Sequence, residues 1–271
     1  MIQVPNRHQR AGAPNREIST LLQQLSDRSA FIRANALELL VARDYPKSLN
    51  EAIGKLSDRS PIVRVAAVES IGAVGTKKTA AHVIKRLADP NGEVRMTAAE
   101  ALAALLKNGH CPRELILSLK DSNELVRVAA AESLGLIGDR RALPAARRAL
   151  HDSSPLVRSY AAAAIGQLGE KRDVAKLRKA VRSEESEIAK VGFYAGLHSL
   201  GEYDVLEALL KLLDEGSDYR ARCAVANTLP ELGLNQSDTE KSVRHLRRAL
   251  RHESTVAARS SIRSSLRHMS D

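Results

Sequence analysis

Residues 121–138 read DSNELVRVAAAESLGLIG, and residues 58–75 read DRSPIVRVAAVESIGAVG. The two stretches overlay without a gap. Working outward, the leading aspartate recurs as Asp27, Asp58, Asp89, Asp121 and Asp152, at spacings of 31, 31, 32 and 31. Two positions after each stands Ser29, Ser60, Asn91, Asn123 or Ser154, and six positions after each stands Arg33, Arg64, Arg95, Arg127 or Arg158. The register continues, weakened, in Glu184/Ser186/Lys190, Gly216/Asp218/Arg222 and Glu253/Thr255/Arg259, which makes eight units. The last spacing lengthens to 37 and implies an insertion near residues 234–239. Self-similarity at a fixed period of this size is the signature of a stacked repeat.

Each column has a physical reading. Ser, Asn, Asp and Thr side chains accept an orphan backbone N–H at a helix N-terminus, so one helix of each unit starts there. Pro61 and Pro155 follow directly, where a missing N–H costs nothing. Gly75, Gly138 and Gly169 close the same helices as C-terminal stops. Before each aspartate runs a shorter apolar-periodic segment, such as AAHVIKRL or DVLEALLKLL, which fits a first helix of about nine to ten residues. Each unit is therefore helix–turn–helix. The arginine stands near its helix start, where the dipole disfavours a cation. The aspartate column offsets that charge, and at this period the two columns stack into an alternating ladder between neighbouring units. The ladder reads as architecture.

The pattern D-x-[SN]-x-x-V-R-x-x-A-A-x-E-[SA]-[LI]-G resembles the HEAT-like repeat of the phycobilisome lyase type, over residues 16–268. The resemblance implies an all-α fold: a right-handed superhelix of antiparallel helix pairs, with the second helices lining a concave face. Its members include interaction scaffolds, regulatory subunits, bilin lyase subunits, a metal-dependent hydroxylase and DNA glycosylases. The hydroxylase branch holds its iron with several His-Glu dipeptides. This chain has one, His252-Glu253, which argues against that reading. The expected organisation is a flexible basic tail at residues 1–15 followed by a single solenoid over residues 16–271.

The chain has 271 residues, 44% of them apolar but only 3% aromatic, with no Trp. Its core must be built from Ala, Leu, Val and Ile, which suits close helix packing. No run approaches the eighteen or so apolar residues of a membrane span. The opening MIQVPNRHQRAGAPNR lacks the apolar region of a secretory signal. Two isolated cysteines, Cys111 and Cys223, make no disulfide framework, so a reducing cytoplasm is the expected location. The net charge of +10 is uneven. Residues 1–16 carry +3 and residues 241–271 carry +6, so the long stretch between them is nearly neutral.

Two groups stand out as candidate contact residues. Five positions after the ladder arginine comes Glu38, Glu69, Glu100 or Glu132 in the first four units, then Ala163, Ala195, Asn227 and Ser264. This acidic half-column marks a docking strip for a basic partner, although Glu is also a good helix former that a repeat consensus carries anyway. The last unit crowds Lys241, Arg244, Arg247, Arg248 and Arg251 on one helix and Arg259, Arg263 and Arg267, at four-residue spacing, on the next. That spacing sets like charges on one face, where they repel. An acidic segment of a protein partner would relieve them; a solubilising end-cap is the plain alternative. Units six and seven break the pattern at Tyr194, Tyr219 and Pro230, a second-choice contact surface, and Pro230 should kink or shorten its helix.

Chemistry is not encoded in any recognisable motif. The eight histidines are scattered, with no H-x-x-x-H pair, so no metal or other cofactor is expected. There is no Walker A or G-x-S-x-G sequence. The basic segments lack aromatics, so any nucleic-acid binding would be directed at the backbone. The expectation is a non-enzymatic interaction scaffold or adaptor. Two alternatives stand beside it: a backbone-directed nucleic-acid binder, and a lyase or cofactor-assembly subunit acting with a partner.

Overall fold

A computed structural model describes residues 16–269; the expected basic tail at residues 1–15, with Arg7 and Arg10, lies outside the described residues. These form an all-α solenoid of helix pairs, with no strand among the described residues. The pairs are α1 (Arg16–Gln24) with α2 (Ala30–Ala42), α3 (Ser48–Lys55) with α4 (Pro61–Val74), and α5 (Ala80–Ile84) with α6 (Gly92–Leu105). Next come α7 (Arg113–Ser118) with α8 (Glu124–Ile137) and α9 (Leu143–Ala149) with α10 (Pro155–Leu168). The last three are α11 (Lys171–Ser183) with α12 (Glu187–Ser199), α13 (Leu206–Glu215) with α14 (Tyr219–Thr228), and α15 (Gln236–His252) with α16 (Val256–Met269). They fall into two compact bodies divided between Ala101 and Leu102.

Boundaries follow local chemistry. The second helices end as expected at Gly75, Gly138 and Gly169, but only Gly138, at φ 79°, uses the left-handed conformation that favours glycine. Asn123, Ser154 and Ser186 cap their helices through the side chain. Ser29 and Ser60 do not, although their own N–H groups are held by the Asp27 and Asp58 carboxylates at 2.7 and 2.9 Å, as those of Asn123, Ser154 and Ser186 are by Asp121, Asp152 and Glu184. First helices vary more than the period suggested, from 5 residues in α5, which tightens into a 3₁₀ turn at Lys85–Ala88, to 17 in α15. The extra residues near 234–239 are taken up in that long α15. Pro230 shortens α14, which stops at Thr228 and gives way to a 3₁₀ turn over Leu229–Glu231.

The core is a seam of small and branched side chains. In the N-terminal body Leu37, Leu40, Val63, Ala67 and Ile71 are fully buried. In the C-terminal body α10 and α12 approach through glycine: a Cβ on Gly166 would lie 2.5 Å from the Gly196 Cα, and one on Gly192 would meet the Ser159 carbonyl. Phe193 is the largest side chain buried beside this contact.

The ladder is built as the spacing predicts. Arg33 donates Nε and Nη2 to Asp58 at 2.9 and 2.6 Å, and Arg64 does so to Asp89 at 2.8 and 2.7 Å. In the C-terminal body Arg127 grips Asp152, Arg158 grips Glu184 and Arg222 grips Glu253 in the same two-pronged way. Each of these arginines also ties its Nη1 to the carbonyl six positions back in its own unit, at 2.7–2.9 Å. Arg–carboxylate forks of this kind combine charge with fixed geometry. At the sixth unit, with Lys190 and Gly216 in the columns, Glu187 instead accepts the backbone N–H groups of Ser217 and Asp218 at 3.1 and 2.8 Å.

Candidate interaction surface

Two positions before each ladder residue the second helices carry Phe31, Ile62, Glu93, Leu125, Leu156, Ile188, Arg220 and Ala257. The residue after each is Ile32, Val63, Val94, Val126, Val157 or Ala189 in the first six units, and four of these, Val63, Val94, Val126 and Val157, are fully buried. In α2, α4 and α8 the first of the pair is left exposed, whereas in α12 both Ile188 and Ala189 are buried. Phe31 is 74% exposed, and Ile62 and Leu125 are each 54% exposed. Seven positions on, two turns along the same side, come Glu38, Glu69, Ala163 and their counterparts. The sequence pattern [FIL]-[IV]-R held this signal; it was overlooked because each residue also fits an ordinary core position.

In the N-terminal body α2, α4 and α6 thus present Glu38, Glu69 and Glu100, all exposed, beside Phe31 and Ile62. Surrounding protein pushes the Glu69 carboxyl above its usual range, and the nearby Glu38, Glu100 and Glu93 charges add to it. Glu100 is raised by burial alone. Glu69 and Glu100 therefore hold unfavourable charge at neutral pH, which a cation would relieve.

In the C-terminal body the same helix side forms a groove of about 490 Å³, lined only from α8, α10, α12, α14 and the turn after it. Where the glutamate column has become Ala163 and Ala195, Leu136, Leu156, Tyr160 and Ile188 line it together with the polar Ser159, Gln167, Asn227 and Thr228. Glu132, Arg220 and Glu231 supply its charges, and Cys223 also lines it. The other thiol, Cys111, is pushed up to about 12 by burial and by Asp139, which makes it a poor nucleophile. Tyr194 is partly buried against the α13–α14 core, whereas Tyr219 is 44% exposed.

The basic last unit divides into two. Arg259, Arg263 and Arg267 share one depression of about 450 Å³ with Val256 and Ser260. Arg247, Arg248 and Arg251, on α15, do not line it; all three are exposed. Part of the α15 charge is already balanced. Lys241 pairs with Glu207, and Asp214 accepts His245 at 2.8 Å with Arg248 at 3.9 Å. Among the described residues no group of three or more His, Cys, Asp or Glu is placed to hold a metal ion, and no helix is long and apolar enough to cross a membrane.

Comparison with known proteins agrees with this architecture. The model of HEAT repeats matches residues 18–103 and 112–197. No curated protein matches the sequence. Among solved structures, a chain from the complex of CpcE and CpcF of phycocyanin lyase from Nostoc sp. PCC7120 is similar at 19% identity and a TM-score of 0.59, covering 91% of this chain and 100% of that one. The E. coli protein YIBA is similar at 21% identity and a TM-score of 0.53, covering 92% of each. At such identities the likeness is one of fold, and function has to be argued from surfaces. The ladder, the paired helices and the matched repeats place this chain in the HEAT-repeat family.

Proposed function

We propose that this protein is a non-enzymatic interaction scaffold that binds a protein partner through the exposed side of its second helices and through its basic C-terminal repeat. The observation that carries the reading is the large apolar side chains left outside the core at one register of the repeat, Phe31 and Ile62 in the N-terminal body and, separately, Leu125 in the C-terminal body. Solvent-exposed apolar groups repeated along a stack are the makings of a contact patch. The acidic row beside Phe31 and Ile62 favours a partner segment that is apolar on one side and basic on the other. The groove at Ala163 and Ala195 accepts a bulkier apolar side chain.

The test is affinity capture from the source lysate with and without nuclease, using the parent chain, a Phe31→Ser/Ile62→Ser variant and an Ala195→Arg variant. A discrete protein that survives nuclease and is lost from the variants supports the scaffold. Capture that vanishes with nuclease transfers the role to nucleic acid, and capture indifferent to the variants places the contact elsewhere. The likeness to a chain of the lyase complex motivates a second reading, a cofactor-assembly subunit. Co-expression with a genomic neighbour would then yield a coloured or cofactor-loaded species.

A further inference from the structure

Between α9 and α11 the C-terminal body carries a crevice of about 490 Å³. It opens on the side of the first helices, whereas the groove at Ala163 and Ala195 is lined from the second helices. Two departures from the repeat go with it. Three positions after the ladder residue stand Ala36, Ala67, Ala98, Ala130 and Ala161, but Phe193 in the sixth unit, and Phe193 forms part of the crevice floor. The helix α11 is also sparsely packed for its length. Of its 13 residues only Asp173 and Leu177 are buried, where the 10-residue α13 buries Leu206, Leu209, Leu210 and Leu213. Opposite α11, the end of α9 offers Arg147, Leu150 and His151, the i, i+3, i+4 pattern of one helix face, and these leave the gap open.

The floor and walls are apolar: Ile165, Leu177 and Phe193 lie below, with Leu150 and Ala180 at the sides. The two acids that line the crevice are both engaged. Asp173 accepts Arg147 Nε and Nη2 at 2.8 Å each, and Glu184 accepts Arg158 Nε and Nη2 at 2.7 and 2.8 Å. Lys176 and Lys179 stand exposed on α11 with no carboxylate paired to them among the described residues, and Ser183 adds a hydroxyl. Three positions apart on a helix, the two amines are neighbours that can share one anionic group. Asp173 and Glu184 stand at opposite ends of α11. Though paired, they bound the crevice with negative charge and disfavour a ligand that carries several anionic groups.

We propose that this crevice binds a small apolar monocarboxylic acid, with its hydrocarbon body against Leu150, Leu177 and Phe193 and its carboxylate between Lys176 and Lys179. The volume falls within the range of small-molecule sites. Exposed lysines give an anion little affinity on their own, so most of the binding comes from the hydrocarbon. The aliphatic stems of the two lysines extend the apolar wall up to the rim. The inference goes beyond the scaffold reading and does not rest on it.

The probe is decanoate, titrated calorimetrically at low salt against the full chain, with octanoate, decanol and acetate as comparisons. Decanoate should bind saturably at one site, and acetate should not bind. Octanoate should bind about tenfold more weakly, because each fully buried methylene contributes about fourfold and the crevice encloses them only in part. Lys176→Gln/Lys179→Gln should weaken decanoate about tenfold and leave decanol unchanged, a selectivity that general loss of structure would not produce. Ala180→Phe fills the crevice from a partly exposed position and should abolish binding of both at an unchanged melting temperature. If that variant does not fold, the lysine variant decides. Ala195→Arg, in the groove on the side of the second helices, should bind decanoate as the parent does. Absence of saturable decanoate binding, decanol binding as tight as decanoate, or binding kept in the lysine variant and lost in Ala195→Arg would each overturn the proposal. Capture of a protein partner through Phe31 and Ile62 is read separately, so the scaffold reading stands or falls on its own test.

Discussion

Removing one carboxylate from the ladder tests whether these forks hold the stack together. Asp89 accepts Arg64 Nε and Nη2 at 2.8 and 2.7 Å and the Asn91 N–H at 3.0 Å, with 2% of its side chain exposed. Burial alone would raise its pKa, but the hydrogen bonds from Arg64 and Asn91 and the Arg64 charge outweigh it, and the carboxyl is held below its usual range. Asp89→Ala deletes all three bonds. It leaves Arg64, 11% exposed, with the Asp58 and Arg59 carbonyls at 2.9 and 3.4 Å. Stripping one partner from a buried pair costs about 3–5 kcal/mol. The two surviving carbonyl bonds set the expectation at the lower end, about 3 kcal/mol. In a chain of this size that lowers Tm by about 6–12 °C. Repeat arrays can unfold in segments, so far-UV circular dichroism should be paired with hydrogen exchange, and the earliest loss should fall within α4 and α5. Arg64→Met/Asp89→Ala removes the stranded charge and should recover on the order of 1–2 kcal/mol relative to Asp89→Ala. An unchanged melting curve for Asp89→Ala would refute the reasoning. So would a double variant as unstable as the two single changes summed.

Three further outcomes follow from the same geometry. Hydrogen bonding from Arg222 holds the Glu253 carboxyl down at about 2, against an ordinary 4.5. Its contribution, about 3 kcal/mol at most, is complete above pH 4.5 and lost as pH falls through about 2, so Glu253→Gln should flatten the acid limb of the stability profile measured by urea titration. Glu69 has the opposite sign: its raised pKa means the ionised form costs stability at neutral pH, so Glu69→Gln should melt at or above the parent at pH 7 and lose that advantage below the ordinary carboxylate range. Gly166→Ala forces a methyl onto the Gly196 backbone at 2.5 Å; overpacking of this kind costs about 1–3 kcal/mol, read as a lower denaturation midpoint.

The candidate surfaces were partly legible. The glutamate column and the Arg259/Arg263/Arg267 stripe could be placed from helical spacing, because residues on one helix keep fixed angular relations whatever surrounds them. Phe31, Ile62 and Leu125 were missed, since a sequence does not say which of two adjacent apolar residues the next helix covers. Arg247, Arg248 and Arg251 stand on α15 and do not line the depression that Arg259, Arg263 and Arg267 share, and Arg248 lies 3.9 Å from Asp214 at the end of α13.

What the sequence determined by itself is everything that repeats. The constant period sets the helix pairs, their caps, and a ladder in which Arg33, Arg64, Arg127 and Arg158 each meet the acid that opens the following unit. It can do so because each unit touches only its neighbours and does so identically. The tertiary structure decided what does not repeat: which apolar residues remain outside the core, where the glutamate column gives way to a groove, and which basic groups are already paired. Those features depend on packing between helices whose offsets vary, at the short α5, the truncated α14 and the long α15.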